Sequence, residues 1–243
     1  MMRQPVKDPV DLTILLPALN EAKNLAILLR FLKHKLPSLL ISYEIIVVDG
    51  GSHDQTVETA RRSQGPIKIF VPKKSGYGEA LRLGFAEAAG NFIVTLDCDL
   101  SHNPTLIPLL WQSRNDAEIV IASRYIPGGS VRMPAWRVFM SKALNAVVPR
   151  LLSIPVSDMS SGFRLYRASV IKPMNLESKN FEILEEILIK AYGEGWKIRE
   201  IPLKFVPRKH GQSKVKFLKF AISFMRTFYK MFILRYSIAY RKT

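Results

Sequence analysis

Two aspartates separated by one cysteine, Asp97-Cys98-Asp99, directly follow the apolar run Phe92 to Leu96. Carboxylates one residue apart at a strand end can converge on a hard divalent cation such as Mg2+ or Mn2+, which takes oxygen ligands. Taken alone, such a pair fits a solvated turn as well as a metal site, and its surroundings must separate the two. Asp49 closes another apolar run; Gly50-Gly51 after it leave room for a ligand to approach the backbone, with Ser52 or Asp54 placed to begin a helix. An ordinary strand-to-helix turn explains that segment alone, but not why both turns put acids on one expected rim. Arg124, Arg137, Arg164 and Arg208 lie in polar or glycine-containing contexts, where a guanidinium fork suits phosphate oxygens and simple solvation is the plainer explanation. Asp158-Met159-Ser160-Ser161-Gly162-Phe163-Arg164 offers small hydroxyl residues and a glycine whose backbone donors suit a bound group. His34, His53, His102 and His210 have no His-Glu or His-Cys partner at ligand spacing, and no Gly-x-Ser-x-Gly elbow is present, which argues against hydrolase chemistry.

These groups need elements to bring them together. Asp11 to Leu16 and Glu44 to Val48 are short apolar, β-branched runs of the kind that form buried parallel strands. Between them Leu25, Leu28, Leu29, Leu32 and Leu36 recur at helical spacing, with Asn20 placed to cap that helix. The alternation continues: a helix over His53 to Ser63, a strand over Ile67 to Val71, a helix over Tyr77 to Ala89 ending at Gly90, and a strand over Phe92 to Leu96. A short helix over Pro104 to Gln112 and a strand over Glu118 to Ala122 follow; helices over Trp136 to Val148 and Phe181 to Tyr192 and a strand over Ile198 to Phe205 complete a less regular second half. The pattern predicts an α/β fold, a mainly parallel sheet flanked by helices, whose ligands sit at the C-terminal ends of the strands.

The chain has 243 residues and 48% hydrophobic composition, enough for one large core. Its single cysteine suits a reducing compartment, so the cytoplasm or a membrane face toward it is the expected location. The first eight residues lack the apolar core of a signal peptide, and the chain is expected to begin near Met1. A bilayer span takes about 20 apolar residues, and charges or prolines interrupt every long apolar stretch. The net charge is +16, and after Glu200 eleven lysines and arginines meet no acid. From Lys214 onward Phe217, Phe220, Ala221, Phe224, Met225, Phe228, Met231 and Phe232 share one helical face, with Lys216, Lys219, Ser223, Arg226 and Lys230 opposite. That pattern fits a helix in an anionic membrane interface, a helix docked on a membrane partner subunit, or a core-packed helix with a solvated face. Aromatics on a single face are not interleaved stacking platforms, and with no nucleic-acid motif visible the basic tail argues against a nucleic-acid partner.

Together these segments resemble the inverting, GT-A-fold glycosyltransferases of family two, and within them the polyprenyl (dolichyl) phosphate mannose synthases. Leu16-Pro17-Ala18-Leu19-Asn20-Glu21 is similar to the family's Pro-x-x-Asn-Glu opening. Val48-Asp49-Gly50-Gly51-Ser52-His53-Asp54 is similar to its Asp-Asp-Gly-Ser-x-Asp turn, with Gly50 in place of the second acid. Asp97-Cys98-Asp99-Leu100-Ser101-His102 resembles Asp-Ala-Asp-Leu-Gln-His, the shorter Ser101 standing where the family has a metal-ligating glutamine. Ala122-Ser123-Arg124-Tyr125, Arg137 with Ser141, Ser160 to Arg167, and Phe205 to Lys214 match further motifs in the same order. The resemblance implies a GT-A domain over residues 1–213 and a basic amphipathic extension over 214–243. It implies catalytic roles for Asp97, Asp99, Arg124 and Arg208, and nucleotide-sugar contacts from Pro17, Ala18, Asn20, Glu21, Asp49, Gly51, Asp97, Cys98, Asp99, Arg208 and Lys214. Acceptor-phosphate contacts would come from Arg124, Arg137 and Ser141, and Mg2+ or Mn2+ would sit at Asp97, Asp99 and Ser101. The implied reaction moves mannose from GDP-mannose to a polyprenyl phosphate at the cytoplasmic face of a membrane. A UDP-sugar donor such as UDP-glucose, or a glycan acceptor, is the alternative.

Overall fold

The computed structural model describes residues 9–132 and 135–206, together with Tyr229, Phe232, Ile233, Arg235 and Tyr236. In chain order the elements are β1 (Val10–Ala18), α1 (Ala22–Lys35), β2 (Tyr43–Asp49), α2 (Thr56–Arg62), β3 (Ile67–Phe70), α3 (Tyr77–Glu87), β4 (Gly90–Thr95) and α4 (Ile107–Gln112). They continue with β5 (Ile119–Ser123), β6 (Ser130–Val131), α5 (Ala135–Leu151), β7 (Arg164–Arg167), α6 (Ala168–Ile171), α7 (Ile183–Gly193), β8 (Ile198–Pro202) and β9 (Lys204–Phe205). The main sheet runs β3-β2-β1-β4-β7-β5-β8, and β6 pairs with β9 in a small second sheet. All neighbours in the main sheet are parallel except β7, which is antiparallel to both β4 and β5. This is the expected α/β architecture.

Alternation along each strand sends side chains to two cores. Leu15, Ile46, Val48, Ile93, Ile119, Ile121 and Tyr166 pack beneath α3 and α7. Leu12, Ile14, Leu16, Ile45, Val47, Val94, Val120 and Leu165 pack beneath α1 and α4. Both faces are therefore dry, which is why the strands read as continuous apolar runs. Parallel β1, β2, β4 and β5 all deliver their C-terminal ends to one rim, with acids at the ends of β1, β2 and β4 and Arg124 after β5.

Several local expectations need correction. Asn20 does not cap α1: it adopts φ +56°, and the helix starts at Ala22 after Glu21 without a side-chain cap. The helix expected from His53 shrinks to Thr56–Arg62, because Asp54 Oδ1 accepts the N–H of Thr56 and holds the preceding residues in a turn. Gly90 ends no helix: Ala88 already leaves α3 with extended backbone, and Gly90 opens β4 opposite Val10 of β1. The expected strand Ile198 to Phe205 divides at Leu203, whose N–H turns to Ser123 O while Lys204 and Phe205 join β6. The amphipathic face from Phe217 to Met231 lies outside the described residues. Among the described residues, no helix is long and apolar enough to cross a membrane.

Candidate functional site

At the ends of β1 and β2, two turns are tied to each other. The N–H of Asn20 donates to Ser52 Oγ (2.7 Å), and Asn20 Oδ1 accepts the N–H of His53 (2.8 Å). The Glu21 and Ala22 N–H groups reach Thr56 Oγ1 and Asp54 Oδ2. Pro17 and Ala18 lie in β1 opposite Val48 and Asp49. Asp49 is buried, its Oδ2 accepting the N–H groups of Gly51 and Ser52 at 3.1 and 2.9 Å. Its Oδ1 is buried with no partner among the described residues. A buried carboxylate oxygen left without a donor is costly, and an N–H reaching this atom would remove that cost. Gly51, at φ +94°, faces open space.

After β4 the chain makes a tight turn through Asp97, Cys98 and Asp99. Leu100 takes φ +61°, a conformation costly for a branched side chain and characteristic of functional loops. The Asp99 carboxylate is 7% exposed, and its Oδ1 accepts both the N–H (2.9 Å) and the Oγ–H (2.5 Å) of Ser101. Ser101 thus braces Asp99 from behind. Asp97 is more open; Tyr77 donates its hydroxyl to Asp97 Oδ1 at 3.0 Å, and His102 Nδ1 lies 3.7 Å from Oδ2. Gly162 lies against both, since a Cβ there would stand 3.4 Å from each Asp97 oxygen and 2.7 Å from the Tyr77 hydroxyl. The Cys98 thiol is buried, and burial first, then the Asp97, Glu21 and Asp99 charges, push it well above its usual range. It is a neutral packing group.

His102 is a site residue that sequence spacing hid. It is buried between the rings of Phe163 and Phe205, and burial holds its imidazole below the usual range against the pull of Asp97 and Asp99. Its Nδ1 has no hydrogen-bond partner among the described residues. Its immediate partner, Asp97, lies five positions earlier in the same turn, a spacing with no established ligand pattern.

On the β5 side, Arg124 meets a carboxylate rather than open solvent. Its Nε and Nη2 reach the two oxygens of Asp158 at 2.7 Å each, and Nη2 also donates to Ser160 Oγ. Asp158 is fully buried, and the N–H groups of Ser157 and Asp158 donate in turn to Glu200. Burial alone would lower the Arg124 pKa, but the Asp158 hydrogen bond and charge outweigh it and raise it. Ser141 accepts the hydroxyl of Tyr125 at 2.6 Å. A cavity of about 850 Å3 opens here, lined by Arg124, Tyr125, Lys142, Arg150, Ile154 and Tyr192 among others.

Arg164 does not belong to the rim surface. It is fully buried, its Nη1 and Nη2 bonded to Leu184 O and Met159 O. The backbone donors expected from residues 158–164 are partly engaged: Ser157 and Asp158 bond Glu200, Met159 bonds Asn145, and the chain then enters β7. Arg137 lies in α5 with its side chain outside the described residues, as are Arg208 and Lys214 altogether. The N–H of Val206 donates to Ser101 O, so the chain leading to Arg208 passes beside the Asp97-Asp99 turn.

Residues 13–174 match the family model "Glycosyl transferase family 2". The chain belongs to glycosyl transferase family 2. Among characterised members, dolichol-phosphate mannosyltransferase from Pyrococcus furiosus is 36% identical over 91% of this chain, which spans 64% of that protein's length. Polyprenol monophosphomannose synthase from Mycolicibacterium smegmatis is 31% identical, covering 83% of this chain and 80% of its own. Undecaprenyl-phosphate mannosyltransferase from Micrococcus luteus is 32% identical, covering 83% and 86%. Among solved structures, glucosyl-3-phosphoglycerate synthase from Mycobacterium tuberculosis in complex with Mn2+, UDP and glucosyl-3-phosphoglycerate matches 97% of this chain and 86% of that one. Its TM-score is 0.70 at 19% identity, a likeness of fold. The expected family is thus the family of the chain.

Proposed function

We propose that this family 2 chain transfers a hexose, mannose from GDP-mannose, to the phosphate of a polyprenyl lipid such as dolichyl phosphate, with inversion. The observation that carries this reading is the division of one rim. Carboxylates cluster at β1, β2 and β4, while a preorganised guanidinium at β5 opens on a cavity lined by basic and apolar residues. The first side suits a cation-bound diphosphate and a nucleoside base; the second suits a phosphate carrying an isoprenoid. The names of the three relatives, each a mannosyltransferase or mannose synthase acting on a polyprenyl phosphate, support the same assignment.

The carboxylates of Asp97 and Asp99 supply hard oxygen donors on one turn, which fits Mg2+ or Mn2+. Among the described residues no third His, Cys, Asp or Glu joins them, so a bound ion would take its remaining ligands from diphosphate oxygens and water. When bound, the ion acts as a Lewis acid that offsets charge growing on the departing nucleoside diphosphate. Asp49 Oδ1 receives an N–H of the base, and the Asn20-Glu21 turn shapes the wall beside it. Arg124, with Arg137 and Ser141, holds the acceptor phosphate in line with the anomeric carbon, and Arg208 reaches the donor diphosphate. That phosphate is anionic near neutral pH, so its oxygen attacks without a strong general base. Orientation supplies most of the remaining acceleration.

The chain acts as a peripheral protein at the cytoplasmic face of a membrane, or on a membrane partner subunit. α5 contains no acid and exposes Phe139, Val147 and Leu151, and Phe232, Ile233 and Tyr236 are exposed where Tyr236 OH and Arg235 Nε bond Leu151 O and Leu152 O. Apolar side chains among basic ones suit an anionic lipid interface. One experiment tests the whole reading: radiolabelled GDP-mannose, UDP-glucose and other nucleotide sugars are offered with Mn2+ to polyprenyl phosphate in anionic liposomes. Mannose transfer by protein that co-sediments with the vesicles is the expected result. Transfer from UDP-glucose alone selects the alternative donor, and transfer to none overturns the proposal.

A further inference from the structure

Tyr77 opens α3 and carries none of the roles assigned so far. Its hydroxyl donates to Asp97 Oδ1 at 3.0 Å, and its ring stacks on Phe181 with centroids 4.3 Å apart and planes 19° apart. Phe181 is 62% exposed, and Tyr77 covers one face of its ring. The segment before it is fastened from two helices. From α3, Arg82 Nη1 donates to Leu176 O and Ser178 O, and the N–H of Gly78 donates to Lys179 O at 2.8 Å. From α7, Glu186 accepts the N–H groups of Glu177 and Ser178 and pairs with Lys190 at 2.6 Å. Gly78 permits this approach, since a Cβ there would stand 2.3 Å from Ser178 O.

The terminal torsion of an aspartate is soft, so an unbraced carboxylate samples a broad range of rotations. A donor on one oxygen, carried by a ring that is itself stacked and slotted beside Gly162, narrows that range. We propose that Tyr77 is a positioning residue for Asp97: its hydrogen bond sets the rotation of that carboxylate, and residues 176–181, through the Phe181 ring, set Tyr77. The proposal rests on Asp97 helping to hold a divalent cation and a nucleoside diphosphate. Preorganisation of this kind is expressed as affinity, because the free site loses less freedom on binding.

Isothermal titration calorimetry of the full chain with Mn2+ plus GDP, and separately Mn2+ plus UDP, tests it. Tyr77→Phe keeps the ring stack and removes only the donor, and is expected to weaken binding about tenfold, in keeping with a hydrogen bond to a charged group. The KM for polyprenyl phosphate stays at its wild-type value. Phe181→Leu keeps the hydroxyl and loosens the ring, and weakens binding in the same direction but less. Wild-type affinity in Tyr77→Phe overturns the proposal while leaving the site assignment intact. A wild-type chain that binds neither nucleotide with Mn2+ overturns the site assignment and the proposal with it.

Discussion

On the β1, β2 and β4 side of the rim, acids are held by donors from the backbone and from hydroxyls: Gly51 and Ser52 on Asp49, Ser101 on Asp99, Tyr77 on Asp97. On the β5 side a cation is held by an acid: Arg124 by Asp158, whose backbone is held in turn by Glu200. The first arrangement keeps negative charge facing the site, ready for a cation. The second has already paired its arginine, so a phosphate bound there, as proposed, would meet an oriented guanidinium whose Nε and Nη2 are engaged by Asp158 and Ser160. Removing an acid from the first side should therefore remove chemistry, and removing Asp158 from the second should first remove structure.

Asp158→Ala is the severest test of that contrast. It leaves Arg124 unpaired in a nearly buried position, and should cost about 3–5 kcal/mol in urea unfolding. The double substitution Asp158→Ala with Arg124→Ala should recover part of that loss; a double variant as unstable as the sum of the singles would show no coupling. Asp99→Ala should do the reverse, lowering sugar transfer by about 100-fold or more while changing stability by only about 1 kcal/mol. Near wild-type turnover would remove Asp99 from the reaction. Glu185 on α7 gives the smallest effect. Burial, opposed in part by Arg164, pushes its carboxyl up to about 7 from 4.5. Because the native value is the higher one, its stabilising contribution is complete below pH 4.5 and is lost as pH rises through about 7. The melting temperature of Glu185→Gln should therefore fall less than that of the wild type between pH 5 and pH 8.

The acidic side was legible in the sequence because its logic is local. Each acid closes or shortly follows an apolar run, and the donors to Asp49 and Asp99 come from the next few residues, although the Tyr77 donor to Asp97 comes from twenty residues earlier. What escaped were features that depend on distant parts of the chain. Asn20 has the composition of a cap, but its side chain is taken by the turn after β2, thirty-three residues on. Arg164 resembles a phosphate ligand in a glycine-containing stretch until β7 draws it into the sheet. Four residues, Arg164–Arg167, carry too short a pattern to announce a strand, and only pairing to both β4 and β5 defines it. His102 has no partner at ligand spacing in the sequence, although the turn after β4 folds it back toward Asp97.

β7 also has a consequence for how the protein is made. It alone joins the half-sheet of β3, β2, β1 and β4 to that of β5 and β8, pairing Arg164 with Thr95. During synthesis, β4, the strand that leads into Asp97 and Asp99, stands as a bare edge until about 70 further residues have left the ribosome, roughly 4–14 s at ordinary elongation rates. An exposed, apolar edge is a template for wrong pairing. Nascent chains stalled short of residue 164 should consequently be clients for chaperones that shield strand edges, and release from them should coincide with the emergence of Arg164–Arg167.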